Sequence, residues 1–317
     1  MFASVGKKER LRQSGALSAA VAACAGLMAT GCSMSEFAAN QAGGVAAASV
    51  DHMRGFWDYE IAGHGNAAGI MQLESLHGLS PDNEELSLTL CASYVGYAFG
   101  WVEVQAEQAE DAGHYAEAQH QRHRAELLYR RARDLALAVM RRRDGGIDEA
   151  LRSGPVHLAA YLDAHYGDAE DLAPVFWGSA SWGAMLGMSE DLSLAMDLPS
   201  IVGLAEHVVA VDPGYENAAG LVFLGGFHSQ YPAQFGGSPE KGKEYFERAL
   251  RITGRRAHQV QLNYARLYAL TMNDRELFVS LLREIIEAPD QGQDVRLANK
   301  IARVRAQLLL SKVDLLL

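Results

Sequence analysis

The sequence predicts an all-α protein in which antiparallel helical hairpins stack into a curved superhelix. Three observations carry this. From about residue 64 onward apolar residues recur at helical spacing, and no run alternates with period two. Short stop segments punctuate that pattern: "LSPDN" at 79–83, "RRDGG" at 142–146, "DPGY" at 212–215, "QFGGSPE" at 234–240 and "APDQGQD" at 288–294. A small–x3–aromatic–x2–Ala spacing also recurs, in Ala125-Tyr129-Ala132 and Gly242-Phe246-Ala249, with a looser copy in Ile201-Ala205-Val208.

That spacing is the packing face of the second helix of a tetratricopeptide hairpin. Small residues let the paired helix approach, and the aromatic fills the gap between hairpins. The copies end at 132, 208 and 249, about two units and then one unit of a ~34–40-residue repeat. Such an array forms one body with a concave face. At 317 residues and 49% hydrophobic, the chain can bury the core this needs.

In chain order, residues 1–31 read as an export signal. Lys7, Lys8, Arg10 and Arg12 form a basic start, and Ala16–Ala29 is a small, apolar stretch too short to span a membrane convincingly. Ala29-Thr30-Gly31-Cys32 looks like a bacterial lipobox, so Cys32 is expected to carry lipid and tether a soluble body to the envelope. Ser33, with no Asp following the cysteine, favours the outer membrane over the inner by enterobacterial habit. Cys91 is then the last thiol, in apolar "LTLCASYVGY", and reads as core. Residues 32–60 form a leader and 61–317 the helical body. Helices are expected at 64–77, 83–110, 115–143, 156–165, 170–187, 197–211, 215–230, 238–253, 257–271, 274–287 and 295–313. Ser80-Pro81-Asp82 and Ser238-Pro239-Glu240 read as capped helix starts, and Arg141–Arg143 suit a helix C-terminus.

The net charge is −11, and −14 without the signal, whose four basic residues and Glu9 sum to +3; this disfavours nucleic acid as a partner. The glycine turn Gly236-Gly237 before a helix could cradle phosphate. No strand precedes it, GxxxxGK[ST] is absent, and Gly242, Phe246 and Ala249 fall on the repeat's packing positions. Lys241 and Lys243 are expected to face solvent. Gly178–Gly183 suggests a nucleophile turn, yet it sits in a helical stretch. His114, His120 and His123 are the best metal candidates, but Gln and Arg neighbours make that helix read as solvated, and no metal or cofactor is expected. No convergent acid, base and nucleophile exists, so the chain reads as a non-enzyme.

Five segments together resemble one family: "SLTLCASYVGYAFGWVE" (87–103), "LAPVFWGSASWGAMLGMS" (172–189), "LPSIVGLAEHVVAVDPGYENA" (198–218), "FGGSPEKGKEYFERAL" (235–250) and "LLREIIEAP…RLANKIARVRAQLLL" (281–310). They look like the T-component (TatT) of tripartite ATP-independent periplasmic (TRAP) transporters, over about residues 60–317. The resemblance implies a periplasmic lipoprotein with cryptic tetratricopeptide-like hairpins. It further implies a homotrimer, docking to a solute-binding protein, and passage of a hydrophobic or carboxylated ligand through an apolar cleft. Tyr97, Trp101, Trp177, Trp182 and Phe223 are the candidate ligand contacts, because a helix apolar on several faces is buried or lines a cavity. Trp177 and Trp182, five residues apart, diverge by about 140° on an ideal helix, so they cannot share one narrow stripe. The competing reading is a scaffold lipoprotein of the same fold for outer-membrane or pilus assembly, which needs no internal cavity.

Overall fold

The computed structural model describes residues 34, 36–45, 48–50 and 52–317. The expected signal and lipidation site at Cys32 lie outside these residues. All described secondary structure is helical: the leader residues 36–45 and 48–50, then α1 (Tyr59–Leu79), α2 (Glu84–Tyr97), α3 (Glu103–Asp111), α4 (Tyr115–Arg143), α5 (Ile147–Arg152), α6 (Pro155–His165), α7 (Leu172–Met188), α8 (Leu198–Val211), α9 (Tyr215–Gln230), α10 (Pro239–Thr253), α11 (His258–Asn263), α12 (Arg275–Glu287), α13 (Arg296–Ser311) and α14 (Val313–Leu316). The most extensive packing is between the neighbours α9 and α10 and between α4 and α7, which are separated in sequence by α5 and α6. The expected packing triads are core: Ala125, Tyr129 and Ala132 are buried, as are Gly242, Phe246 and Ala249, and Ile201, Ala205 and Val208. Lys241 and Lys243 are exposed. Ser193–Val211 is apolar enough to cross a membrane by composition, but within this body α8 packs against α6, α7 and α9.

The structure corrects several local expectations. Asn83, not Ser80, caps α2, accepting from Leu86 N at 2.8 Å, while Ser80 ends α1. Ser238 starts α10 without a capping bond, and its hydroxyl turns to Glu240 instead, at 3.2 Å. The helix expected over 83–110 contains a π turn at Ala98–Val102, and the one over 257–271 contains another at Tyr264–Ala269. α5 was not anticipated. At the start of α9, Glu216, Asn217 and Ala218 adopt left-handed backbone angles, φ 45°, 59° and 63°, so the regular helix begins after them. The Gly236-Gly237 turn folds tightly onto the chain before it: a Cβ on Gly237 would sit 1.5 Å from the Tyr231 carbonyl oxygen. That close approach, with φ 93° at Gly236, accounts for both glycines. Leu224-Gly225, two residues late for a regular repeat, sets Gly225 beneath the Phe246 ring, where a Cβ would come within 2.9 Å.

Two large cores form, one mainly from α2 to α8 and one from α9 to α14. A smaller cluster of Ala62, Trp101 and Ile301 joins α1 to α13 through the turn at Ala98–Val102, and α13 touches α1. The two ends of the body therefore meet.

Candidate functional site

A cavity of about 710 Å³ opens where those ends meet. This volume suits a small organic ligand. Its wall draws on the leader, α1, α2, α7, α9, α11 and α13. The apolar part includes Val45, Met53, Leu73, Trp101, Val222 and Ile301. Carboxamides of Asn66, Gln72, Asn217, Gln259 and Asn263 interrupt it.

The π turn at Ala98–Val102 builds one side. It brings the rings of Tyr97 and Trp101 into a stack, centroids 6.1 Å apart, and Tyr59 stacks on the other side of Trp101 at 5.2 Å. The Tyr59 hydroxyl donates to the Gly100 carbonyl at 2.7 Å, and Trp101 Nε1 donates to the Tyr59 carbonyl at 3.3 Å. Burial pushes the Tyr59 hydroxyl up to about 12, so it stays a donor. Gly63 makes room: a Cβ there would lie 2.4 Å from Trp101 Nε1.

Of the sequence-selected aromatics, the structure brings Trp101 and Trp177 to the cavity wall. The other three lie in packing positions. Tyr97 stacks on Trp101 and accepts from Arg124 Nη2 at 3.1 Å. Trp182, on the far side of α7 from Trp177, donates to Asp197 at 3.2 Å and lies under the Arg133 guanidinium. Phe223 fills the space left by Gly183, where a Cβ would sit 2.4 Å from the ring. Cys91 is fully buried, its thiol pushed up by burial and 3.2 Å from the Ala132 carbonyl. His123 lies 3.5 Å from Glu126, and among the described residues no three His, Cys, Asp or Glu side chains cluster as metal ligands.

Sequence reading missed the leader's share of the wall, which comes from Ala42, Val45, Ser49, Val50, Met53 and Arg54. Its apolar residues at helical spacing were the available signal. Arg54 is held against α9 by a two-pronged pair with Glu216, 2.9 and 3.2 Å, and its carbonyl accepts from Leu297 N at 2.9 Å. Arg296 Nη1 donates to the Gly55 carbonyl at 3.0 Å. These contacts pin the leader's end to both α9 and α13.

A second cluster was also missed, on the opposite face of the same π turn. Arg305, fully buried, pairs with Glu103 at 2.9 Å and with Glu107, and donates to the Phe99 carbonyl at 2.9 Å. Its guanidinium lies 4.2 Å over the Phe99 ring. Tyr129 donates to Glu103 at 2.5 Å, and Arg266 lies 3.6 Å from Glu107. Burial works to raise the Glu107 carboxyl, but Arg305 and Arg266 beside it prevail and hold it below the usual range. The charges balance, two arginines against two glutamates, and the cluster ties α13 to α3 and α4.

Comparison with known proteins agrees with this architecture. The sequence model of the TRAP transporter T-component family matches residues 57–317. An uncharacterized protein of Treponema pallidum (strain Nichols) is 25% identical over 247 residues, covering 76% of this chain and 75% of that protein. The match spans both helical cores, the Trp101 stack and all of the cavity wall except the leader, and the chain belongs to the TRAP transporter T-component family.

Proposed function

We propose that this protein is the lipid-anchored accessory component of a TRAP-type solute transporter. It docks a periplasmic solute-binding protein and holds or passes a hydrophobic ligand through the cavity between α1 and α13. Membership of the T-component family supports the transporter role. The observation that carries the ligand reading is the cavity of about 710 Å³ with Trp101 and Trp177 on an otherwise largely aliphatic wall. The "MATGCS" segment supports an envelope location with Cys32 as anchor, in the outer membrane by the Ser33 argument. The buried small–aromatic–Ala triads support tetratricopeptide-like hairpins, whose usual role is to bind another protein. A homotrimer follows from the family resemblance.

Crosslinking in envelope extracts followed by mass spectrometry should recover a solute-binding protein. Native mass spectrometry of the purified protein should show a small apolar adduct. Recovery of only outer-membrane or pilus assembly machinery, with an empty cavity, would replace this reading by that of a scaffold lipoprotein.

A further inference from the structure

We infer that the cavity selects an uncharged amphiphile, with an apolar chain and a neutral polar head, and rejects a carboxylate of the same length. The inference rests on the ligand-holding reading above. Among the described residues, three charged side chains reach the cavity wall: Arg54, Glu216 and Asp294. Arg54 is the cation among them, and its guanidinium already grips both carboxylate oxygens of Glu216. Asp294 is paired outward, with Arg256 Nη2 at 2.9 and 3.1 Å from its two oxygens.

An entering carboxylate has two options. It can compete with Glu216 for Arg54, leaving two anions to share one guanidinium. Otherwise it must sit unpaired against apolar wall, and burying an unpaired charge is costly. An ammonium head meets the converse problem, since both acids already hold arginines. A hydroxyl or amide head meets neither. The carboxamides of Asn66 and Gln72 on α1 and of Asn217 on α9 offer it uncharged donors and acceptors, and the Val45, Leu73, Val222 and Ile301 side takes its chain.

The test uses the full mature protein near pH 8, where a carboxylate and an alkylammonium are both charged. N-phenylnaphthylamine serves as fluorescent reporter, with dodecanol, dodecanoate and dodecylammonium as competitors. Dodecanol should displace the reporter at least about ten-fold more tightly than either charged analogue. In Glu216→Gln, which removes one anion from the cavity wall, the gap between dodecanol and dodecanoate should narrow. Gly69→Phe checks the location: Gly69 lines the cavity with open space around it, so the new ring fills the void. That variant should lose uptake while keeping its helical content. Dodecanoate binding as tightly as dodecanol in the unaltered protein overturns the charge inference alone. Failure of every probe to bind, or uptake undiminished in Gly69→Phe, overturns the cavity reading beneath it.

Discussion

Two arginine–glutamate clusters, one against the π turn at Ala98–Val102 and one on the cavity wall between the leader and α9, differ in what surrounds them. On the Phe99 face, Arg305 is 0% exposed and Glu103 8%. On the cavity side, Arg54 is 44% exposed and Glu216 25%. The inner cluster is fastened from five elements by hydrogen bonds, ion pairs and a ring. The outer pair spans one gap between the leader and α9. The same chemistry therefore holds the body together in one place and sets the charge of the cavity wall in the other. Burial decides which, because water screens the outer pair and cannot reach the inner one.

The comparison can be broken most directly at Arg305. Arg305→Met leaves Glu103 and Glu107 to share Arg266 alone, an uncompensated charge, and urea denaturation should show a loss of about 3–5 kcal/mol. A loss under about 1 kcal/mol, the size expected of a surface pair, would erase the distinction. Next in size is Gly63→Leu, which forces a side chain into the Trp101 stack. Overpacking of this kind costs about 1–3 kcal/mol and should shift the tryptophan emission; unchanged emission would mean the stack is not tight. Asn217→Val puts a β-branched residue into a left-handed conformation at the cavity edge and should cost about 1–3 kcal/mol at most, with a full loss of that size expected only if φ stays positive. Arg54→Met should cost no more than about 1 kcal/mol, while still altering the response to charged ligands.

Smallest and most gradual is the effect of pH above the carboxylate range. Burial lowers His228 and His258, the latter also repelled by Arg303, so both are neutral in the fold. An unfolded histidine titrates near 6.5. Their contribution is therefore complete above about pH 6.5 and is lost as pH falls through the lowered folded values. Thermal midpoints should be flat from pH 8 to 7 and decline gently below, roughly in that window. A midpoint that rises on mild acidification would contradict this.

Much of the architecture was legible in the sequence because helical periodicity and the small–aromatic–Ala spacing report on burial, and burial is what the packing positions share. Ala125, Tyr129, Gly242 and Phe246 could be assigned to the interior without coordinates. The π turns could not, since one extra residue in a turn leaves no compositional mark. They matter at the site: the turn after Tyr97 aligns its ring with Trp101 and turns Phe99 away to Arg305. Glu103 and Glu107, four apart, look like a solvated stripe until Arg266 and Arg305 arrive from more than 150 residues away. Nor does anything local in "DPGYENA" announce three left-handed residues. Asn217 alone is of a type that tolerates them.

The meeting of α1 and the leader's end with α13 has a consequence for how the protein comes into being. Arg54 meets Glu216 across 162 positions, Arg305 meets Phe99 across 206, and Arg296 meets Gly55 across 241. Contacts of such long range demand that most of the chain be ordered before they can form, and they slow assembly. A chain still emerging from synthesis can form the helices of both cores early, but the cavity wall is incomplete until α13 arrives. The cavity is thus a property of the finished chain. Truncations that remove α13 and α14 should yield folded helices without it.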